Sequence, residues 1–147
     1  MTGKAEVRSF PNWLPASYFD AIPASDAELE PDMILFSGAR AQRENAEFLA
    51  RDYWLDEVSE EWWIFGESGQ GDHWLLHTDS QVYFFNHDRG QRSPDRFDFV
   101  VESVAQWVEV ASLLRAADGI ATPGAEVSAA LELVSSGLAS RFPFAVA

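Results

Sequence analysis

The apolar positions of this chain follow two different periods, and the switch between them marks its organisation. Before residue 32 no period is sustained. Pro11, Pro15, Pro23 and Pro31 cut every run short, leaving room for one short helix over residues 15–22 that Pro23 closes. That lead-in is expected to bring Trp13, Leu14, Tyr18 and Phe19 onto a core. Residues 33–36, Met-Ile-Leu-Phe, form a continuous apolar run suited to a buried strand. Ser37 then offers a side-chain cap for a helix reaching about Trp54, in which Ala46, Leu49, Ala50 and Tyr53 recur at the i, i+3, i+4, i+7 spacing of one helical face.

From Glu61 the pattern shortens to three apolar runs, at residues 62–65, 74–76 and 82–85. The glycine-rich stretch 66–71 separates the first two and 78–81 the second pair, and both joints suit antiparallel hairpins, so the segment reads as a three-stranded meander. Apolar side chains stand at odd and even positions alike, which requires cover on both faces of the sheet. A polar loop follows over residues 89–98, and residues 97–101 add a further short strand. Ser103 and Gln106 fit a capping box, the stripe Val104, Trp107, Val108, Ala111 and Leu114 keeps a helical period, and Gly119 stops it. A last helix is expected with Thr122 as cap and Pro123 at its first position, carrying Val127, Leu131, Val134 and Leu138 inward. No repeat, low-complexity tract or linker interrupts the chain. The prediction is a single α+β domain over residues 1–147, a central antiparallel or mixed sheet packed by helices, with 120–147 as a C-terminal helical extension.

Composition narrows the function. The 147 residues are 47% hydrophobic and 14% aromatic, enough for one core. With 24 Asp+Glu against 10 Lys+Arg the formal net charge is -14, which repels a phosphate backbone; DNA, RNA and anionic membranes are discounted as direct ligands, and a basic protein would be attracted. Cysteine is absent, removing disulfides, thiolate catalysis and Cys-ligated zinc. The N-terminal residues lack the apolar run of a signal peptide and no stretch reaches the roughly 18 apolar residues of a spanning helix, so the cytoplasm is the expected compartment.

Each candidate for chemistry has a plainer reading beside it. His73, His77 and His87 lie within fifteen residues of one another, close to Asp72 and Asp88, which poses a metal site and hence a small metal-dependent hydrolase built on His73, His77 and Asp72. A two-residue turn at Asp79 and Ser80 pairs His77 with Val82 and His73 with Asn86. His73 and His77 then share a face, with His87 on the other opposite Asp72, and no three-histidine cluster forms. Residues 66–69, Gly-Glu-Ser-Gly, are similar to a serine nucleophile elbow, but Gln70 stands where the second glycine belongs. Neither a dinucleotide loop nor a P-loop fits, and these glycines read as turn residues. Glu60 and Glu61 are neighbours whose side chains point apart, a poor acid/base pair. No catalytic residue, metal ligand or cofactor is therefore assigned.

Charge, in contrast, is segregated. Between Tyr53 and Asp88 there is no Lys or Arg, while the stretch holds four of the six tryptophans. Aromatic side chains ringed by acid are the raw material of a docking surface. The partner-binding candidates are Trp54, Asp56, Glu57, Glu60, Glu61, Trp62, Glu67, Asp72 and Asp79, against the alternative that the rings simply fill the core.

Residues 64–76 (Ile-Phe-Gly-Glu-Ser-Gly-Gln-Gly-Asp-His-Trp-Leu-Leu), residues 81–88 (Gln-Val-Tyr-Phe-Phe-Asn-His-Asp), the helix start over 99–108 and the Leu-Pro-Ala-Ser-Tyr of 14–18 together resemble the SUKH superfamily, the Smi/Knr-type domains. The resemblance covers about residues 13–115; the short N-terminal region and the tail from Ile120 depart from it. It implies an α+β sandwich without catalytic residues that binds proteins, in many bacterial members as an immunity protein neutralising a toxin, often a nuclease. The expectation is a non-enzymatic binding domain for a basic toxin; the alternative is a regulatory or scaffold domain with a different protein partner.

Overall fold

In the computed structural model, residues 7–50, 60–89, 94–119 and 123–144 are described. Six strands form a single antiparallel sheet in chain order: β1 (Ala27–Glu30), β2 (Met33–Leu35), β3 (Trp62–Glu67), β4 (His73–His77), β5 (Val82–Phe85) and β6 (Asp98–Val101). The helices are α1 (Ala16–Ala21), α2 (Gly38–Ala50), α3 (Val104–Gly119), α4 (Gly124–Val134) and α5 (Leu138–Arg141). The α+β class expected from the sequence is the class observed.

The meander forms where the apolar runs placed it, but its second turn differs. Leu76 pairs with Val82 and His73 with Phe85, one residue away from a two-residue turn. Ser80 donates its N–H to the His77 carbonyl at 2.8 Å and takes φ +68, so Thr78, Asp79 and Ser80 make a three-residue turn whose last member is left-handed. The sequence lacks the glycine that usually announces such a turn.

Burial on both faces is the rule in the central strands: Trp62, Trp63, Ile64, Phe65, Trp74, Leu75 and Leu76 are all buried. On one face α1 and α3 supply the cover. Tyr18 of α1 accepts the Trp63 indole N–H at 3.0 Å, and Trp107 of α3 lies edge-on to both Phe65 (5.0 Å) and Trp74 (5.6 Å). The other face is closed in part by Phe97, which packs on Trp62 (4.5 Å) and Phe85 (5.5 Å). α2 runs beside β3. Because β2 stops at Leu35, Ile64 has no strand partner on that side, and the Asn45 amide takes its place: it accepts from the Ile64 N–H at 2.9 Å and donates to the Ile64 carbonyl at 2.8 Å.

Several expectations change. β1, Ala-Glu-Leu-Glu, was not foreseen, since two glutamates in four residues argue against a strand. Phe19 is 46% exposed, whereas Leu14 and Tyr18 are buried as expected. Ser37 does cap α2, accepting the Arg40 N–H at 3.1 Å; the predicted end of that helix at Tyr53 and Trp54 lies outside the described residues, as does Thr122. Pro123 stands one place before α4 rather than inside it. The last helix also breaks: Ser135 leaves the helical region and Gly137 takes φ +84, so Leu138 reaches the core from α5. The break has a use. Arg141 of α5 donates to the outward carbonyl of Val100 in β6 through Nε (3.2 Å) and Nη2 (2.9 Å), which covers that edge of the sheet. Phe142 and Phe144 then pack on Trp74 at 6.5 and 6.3 Å, so the described part of the C-terminal extension belongs to the same core.

Two substitutions test this geometry. A Cβ on Gly66 would meet the Ile34 carbonyl oxygen at 2.6 Å between β3 and β2. Gly66→Ala is expected to destabilise by about 2 kcal/mol in urea unfolding, since backbone cannot yield as a side-chain tip can. Ser80→Gly removes the penalty for a left-handed residue and is expected to stabilise by about 0.5–1 kcal/mol in the same assay.

Candidate functional site

The basic-free segment supplies the three central strands, so its acids collect at the two ends of those strands. At one end are Glu60 and Glu61, just before β3, and Asp79 in the β4–β5 turn. His77 sits between them: its Nε2 is 3.8 Å from Glu61 Oε1 and its Nδ1 is 3.4 Å from Asp79 Oδ2. The imidazole lies over the Trp62 ring at 4.3 Å. Asp79 is fixed twice, accepting the Gln81 N–H at 2.9 Å and the Tyr83 hydroxyl at 2.8 Å. Burial, aided by the Asp79 carboxylate, pushes the Tyr83 phenol up to about 12, so it remains a donor to Asp79 at all ordinary pH.

Arg8, beside this end, serves the backbone. Arg8 donates to the carbonyls of Trp62 (3.2 Å) and Glu60 (3.4 Å), and Trp13 donates its indole N–H to that same Glu60 carbonyl at 3.2 Å. Burial lowers the Arg8 pKa, with the Glu60 charge opposing. Among the described residues no Lys or Arg forms an ion pair with Glu61 or Asp79.

The carboxylates of the opposite end have partners within the chain. Arg40 of α2 pairs with Asp26 (2.8 Å), Glu44 (3.2 Å) and Glu67 (3.6 Å) while stacking on Phe36 at 4.4 Å. Buried His73 approaches Glu44 at 3.7 Å; that polar contact, with Arg40 adding to it, holds the Glu44 carboxyl below the ordinary range although burial pushes the other way. Glu67 is raised, first by burial, with Arg40 opposing and the charges of Glu44 and Asp26 reinforcing.

Asp72 is buried and fully used. One carboxylate oxygen accepts the Ser68 hydroxyl at 3.0 Å; the other accepts the His87 backbone N–H at 3.1 Å and meets the His87 ring at Nδ1. A serine, an aspartate and a histidine thus meet, but with the aspartate in the middle. Ser68 Oγ donates to Asp72 and itself accepts from the N–H groups of Gln70 and Asp72, both at 3.1 Å. The cluster has no hydroxyl-to-imidazole bond; its hydrogen bonds close the β3–β4 turn and pin the end of β5.

Of the sequence candidates, Glu60, Glu61 and Asp79 come together at one exposed end. Glu67 and Asp72 lie at the other and are internally bonded. Trp62 is only 4% exposed, so it supports His77 from below and does not present a ring to solvent. Trp54, Asp56 and Glu57 lie outside the described residues. His73 and His77 share a face of β4 but serve opposite ends, and among the described residues no group of three or more acidic, His or Cys side chains is placed to hold a metal ion. The sequence reading missed His77 and Tyr83 as members of the acidic end. Their signal was the turn itself: His77, Asp79 and Tyr83 converge only once Ser80 makes it three residues long.

The fold and its ends thus define an α+β protein with a layered six-stranded meander sheet. No family model, no curated protein and no solved structure matches the chain. Among the described residues no helix is long and apolar enough to cross a membrane.

Asp72→Asn replaces one of the two accepting oxygens with an NH2 group and is expected to cost about 1–3 kcal/mol of folding stability, measured by thermal unfolding. A cost equal to that of Glu61→Gln would mean that the cluster carries no structural weight.

Proposed function

We propose that the chain is a non-catalytic intracellular binding protein of the immunity type, whose Glu60–Glu61–Asp79 end engages a basic surface on a toxin domain and blocks it. The observation that carries this reading is the contrast between the two ends of the central strands. At one end Arg40 pairs with Asp26, Glu44 and Glu67, and His73 lies against Glu44. At the other, Glu61 and Asp79 are more than a third exposed at their side chains, with His77 as the only partner at ion-pair distance among the described residues. Asp79 is held by two hydrogen bonds before any partner arrives, so little side-chain order is lost on binding it. The net charge of -14 adds long-range attraction for a basic partner. The resemblance of residues 13–115 to SUKH-type domains supports the toxin as the class of partner.

The test is co-expression with a basic toxin domain encoded by a neighbouring gene, followed by measured association of the purified pair. Protection is expected, with Glu60→Lys/Glu61→Lys slowing association about tenfold at low salt and leaving the urea midpoint unchanged. Association without protection would point to the regulatory or scaffold role instead. No complex and no protection would end the immunity reading.

A further inference from the structure

Carbonyls of alternate strand residues face the same side, so those of Glu60, Trp62 and Ile64 line one edge of β3 and its lead-in. On that edge β2 pairs with Gly66 and Glu67, and the Phe36 N–H just beyond β2 reaches the Phe65 carbonyl at 3.1 Å. Among the described residues no strand covers the remainder, and side chains take its place. The Asn45 amide meets Ile64, Arg8 donates to the Trp62 carbonyl at 3.2 Å, and the Glu60 carbonyl accepts from both Arg8 (3.4 Å) and Trp13 (3.2 Å).

Both donors to Glu60 belong to one short arm of chain, residues 8–13. The Arg8 backbone N–H donates to the Gln42 carbonyl of α2 at 2.9 Å, its guanidinium lies over the Trp63 ring at 5.5 Å, and Phe10 packs on that ring at 5.5 Å. The arm is thus footed on α2 and on β3 itself.

The direction in which a side chain leaves the backbone is set by the two rigid peptide planes that flank its Cα. Before Glu61 stands the plane of the Glu60 carbonyl, held by Arg8 and Trp13. After it stands the plane of the Glu61 carbonyl, which accepts the Thr78 N–H at 3.2 Å from the β4–β5 turn. Both planes are tied, from opposite sides of the strand, and the turn that ties the second one also carries Asp79. We infer that Arg8 and Trp13 are positioning residues of the docking end: they hold the Glu60 carbonyl so that Glu61 stands fixed beside Asp79. Neither need touch the partner, whose basic surface meets Glu61 and Asp79 under the docking role on which this assignment rests. A carboxylate on a backbone already held loses less order when a cation arrives. Releasing the arm returns that cost to the complex without altering the charge that draws the partner in.

Two charge-neutral variants test this. Trp13→Phe keeps a ring and loses the N–H; Arg8→Lys keeps the charge and loses the fork. Their association and dissociation rates with a purified basic toxin domain are measured by surface plasmon resonance in the wild-type and Glu61→Gln backgrounds. In the wild-type background each is expected to raise the dissociation rate about fivefold and to change the association rate by less than about twofold. In Glu61→Gln neither should have a further effect, because both act through Glu61. An equal effect in the two backgrounds, as direct contact with the partner or a general loosening of the fold would give, overturns the positioning role. So do unchanged rates in the wild-type background. In the free protein, NMR relaxation should show the Glu61 amide gaining motion in Trp13→Phe, and unchanged order there overturns the bracing whatever the partner does. A wild type that binds no basic domain overturns the docking role itself. Urea unfolding checks that each variant is folded; should Arg8→Lys fail to fold, Trp13→Phe decides alone.

Discussion

Trp62 and Trp63 are neighbours in a strand, and that adjacency governs the rest of the molecule. Successive side chains of a strand point to opposite faces, so two buried indoles in a row demand cover on both sides. A sheet with one wet face could not hold them. Burying an indole removes on the order of 200 Å² from water, a larger gain than most single contacts provide. The helices follow from this demand. Tyr18 and Trp107 close one side, Phe97 and the residues around α2 close the other, and the two sides never exchange roles.

The same demand explains why α2 is bound to the sheet through a hydrogen-bonding side chain. β2 ends early so that the chain can turn into a helix, and this leaves the Ile64 N–H and C=O inside the protein without a strand. Asn carries an NH2 donor group and a carbonyl acceptor at the spacing of a peptide group, and Asn45 presents both to Ile64. Leu or Ala there would satisfy the helix and strand two buried polar groups, a larger loss than any helix propensity could return. A polar residue on the apolar side of a helix is thus a structural requirement here, with no ligand involved.

What could be read from the sequence were features whose signal is local. The apolar runs gave β3, β4 and β5; Ser103 with Gln106 gave the start of α3, and Ser103 Oγ does accept the Gln106 N–H at 3.1 Å. Features that depend on partners distant in the chain were not legible. β1 is a strand because β2 and α3 flank it, and nothing in Ala-Glu-Leu-Glu announces this. The β4–β5 turn hides its length because a serine takes the left-handed position that glycine usually fills. The candidate site divides the same way. Charge segregation was plain in the composition, but which acids are spent internally depended on Arg40, which reaches Glu67 from outside the segment, and on the pairing of Asp72 with His87.

That division changes what the absence of lysine and arginine between Tyr53 and Asp88 signifies. A basic-free run of central strands is tolerable when other parts of the chain return the missing cations, and Arg40 does so for the Glu67 end. Arg8 lies beside the Glu60 end, yet its guanidinium donates to two carbonyls there, and among the described residues His77 is the only partner of Glu61 and Asp79 at ion-pair distance. Exposed ion pairs contribute little to stability, so folding alone gives small reason to fill that place or to leave it empty. Tyr83 and the Gln81 N–H hold Asp79 still at a surface where an unconstrained carboxylate would keep more entropy and more water; the Gln81 bond steadies the β4–β5 turn, and under the proposed function the same order spares a partner the cost of fixing the carboxylate.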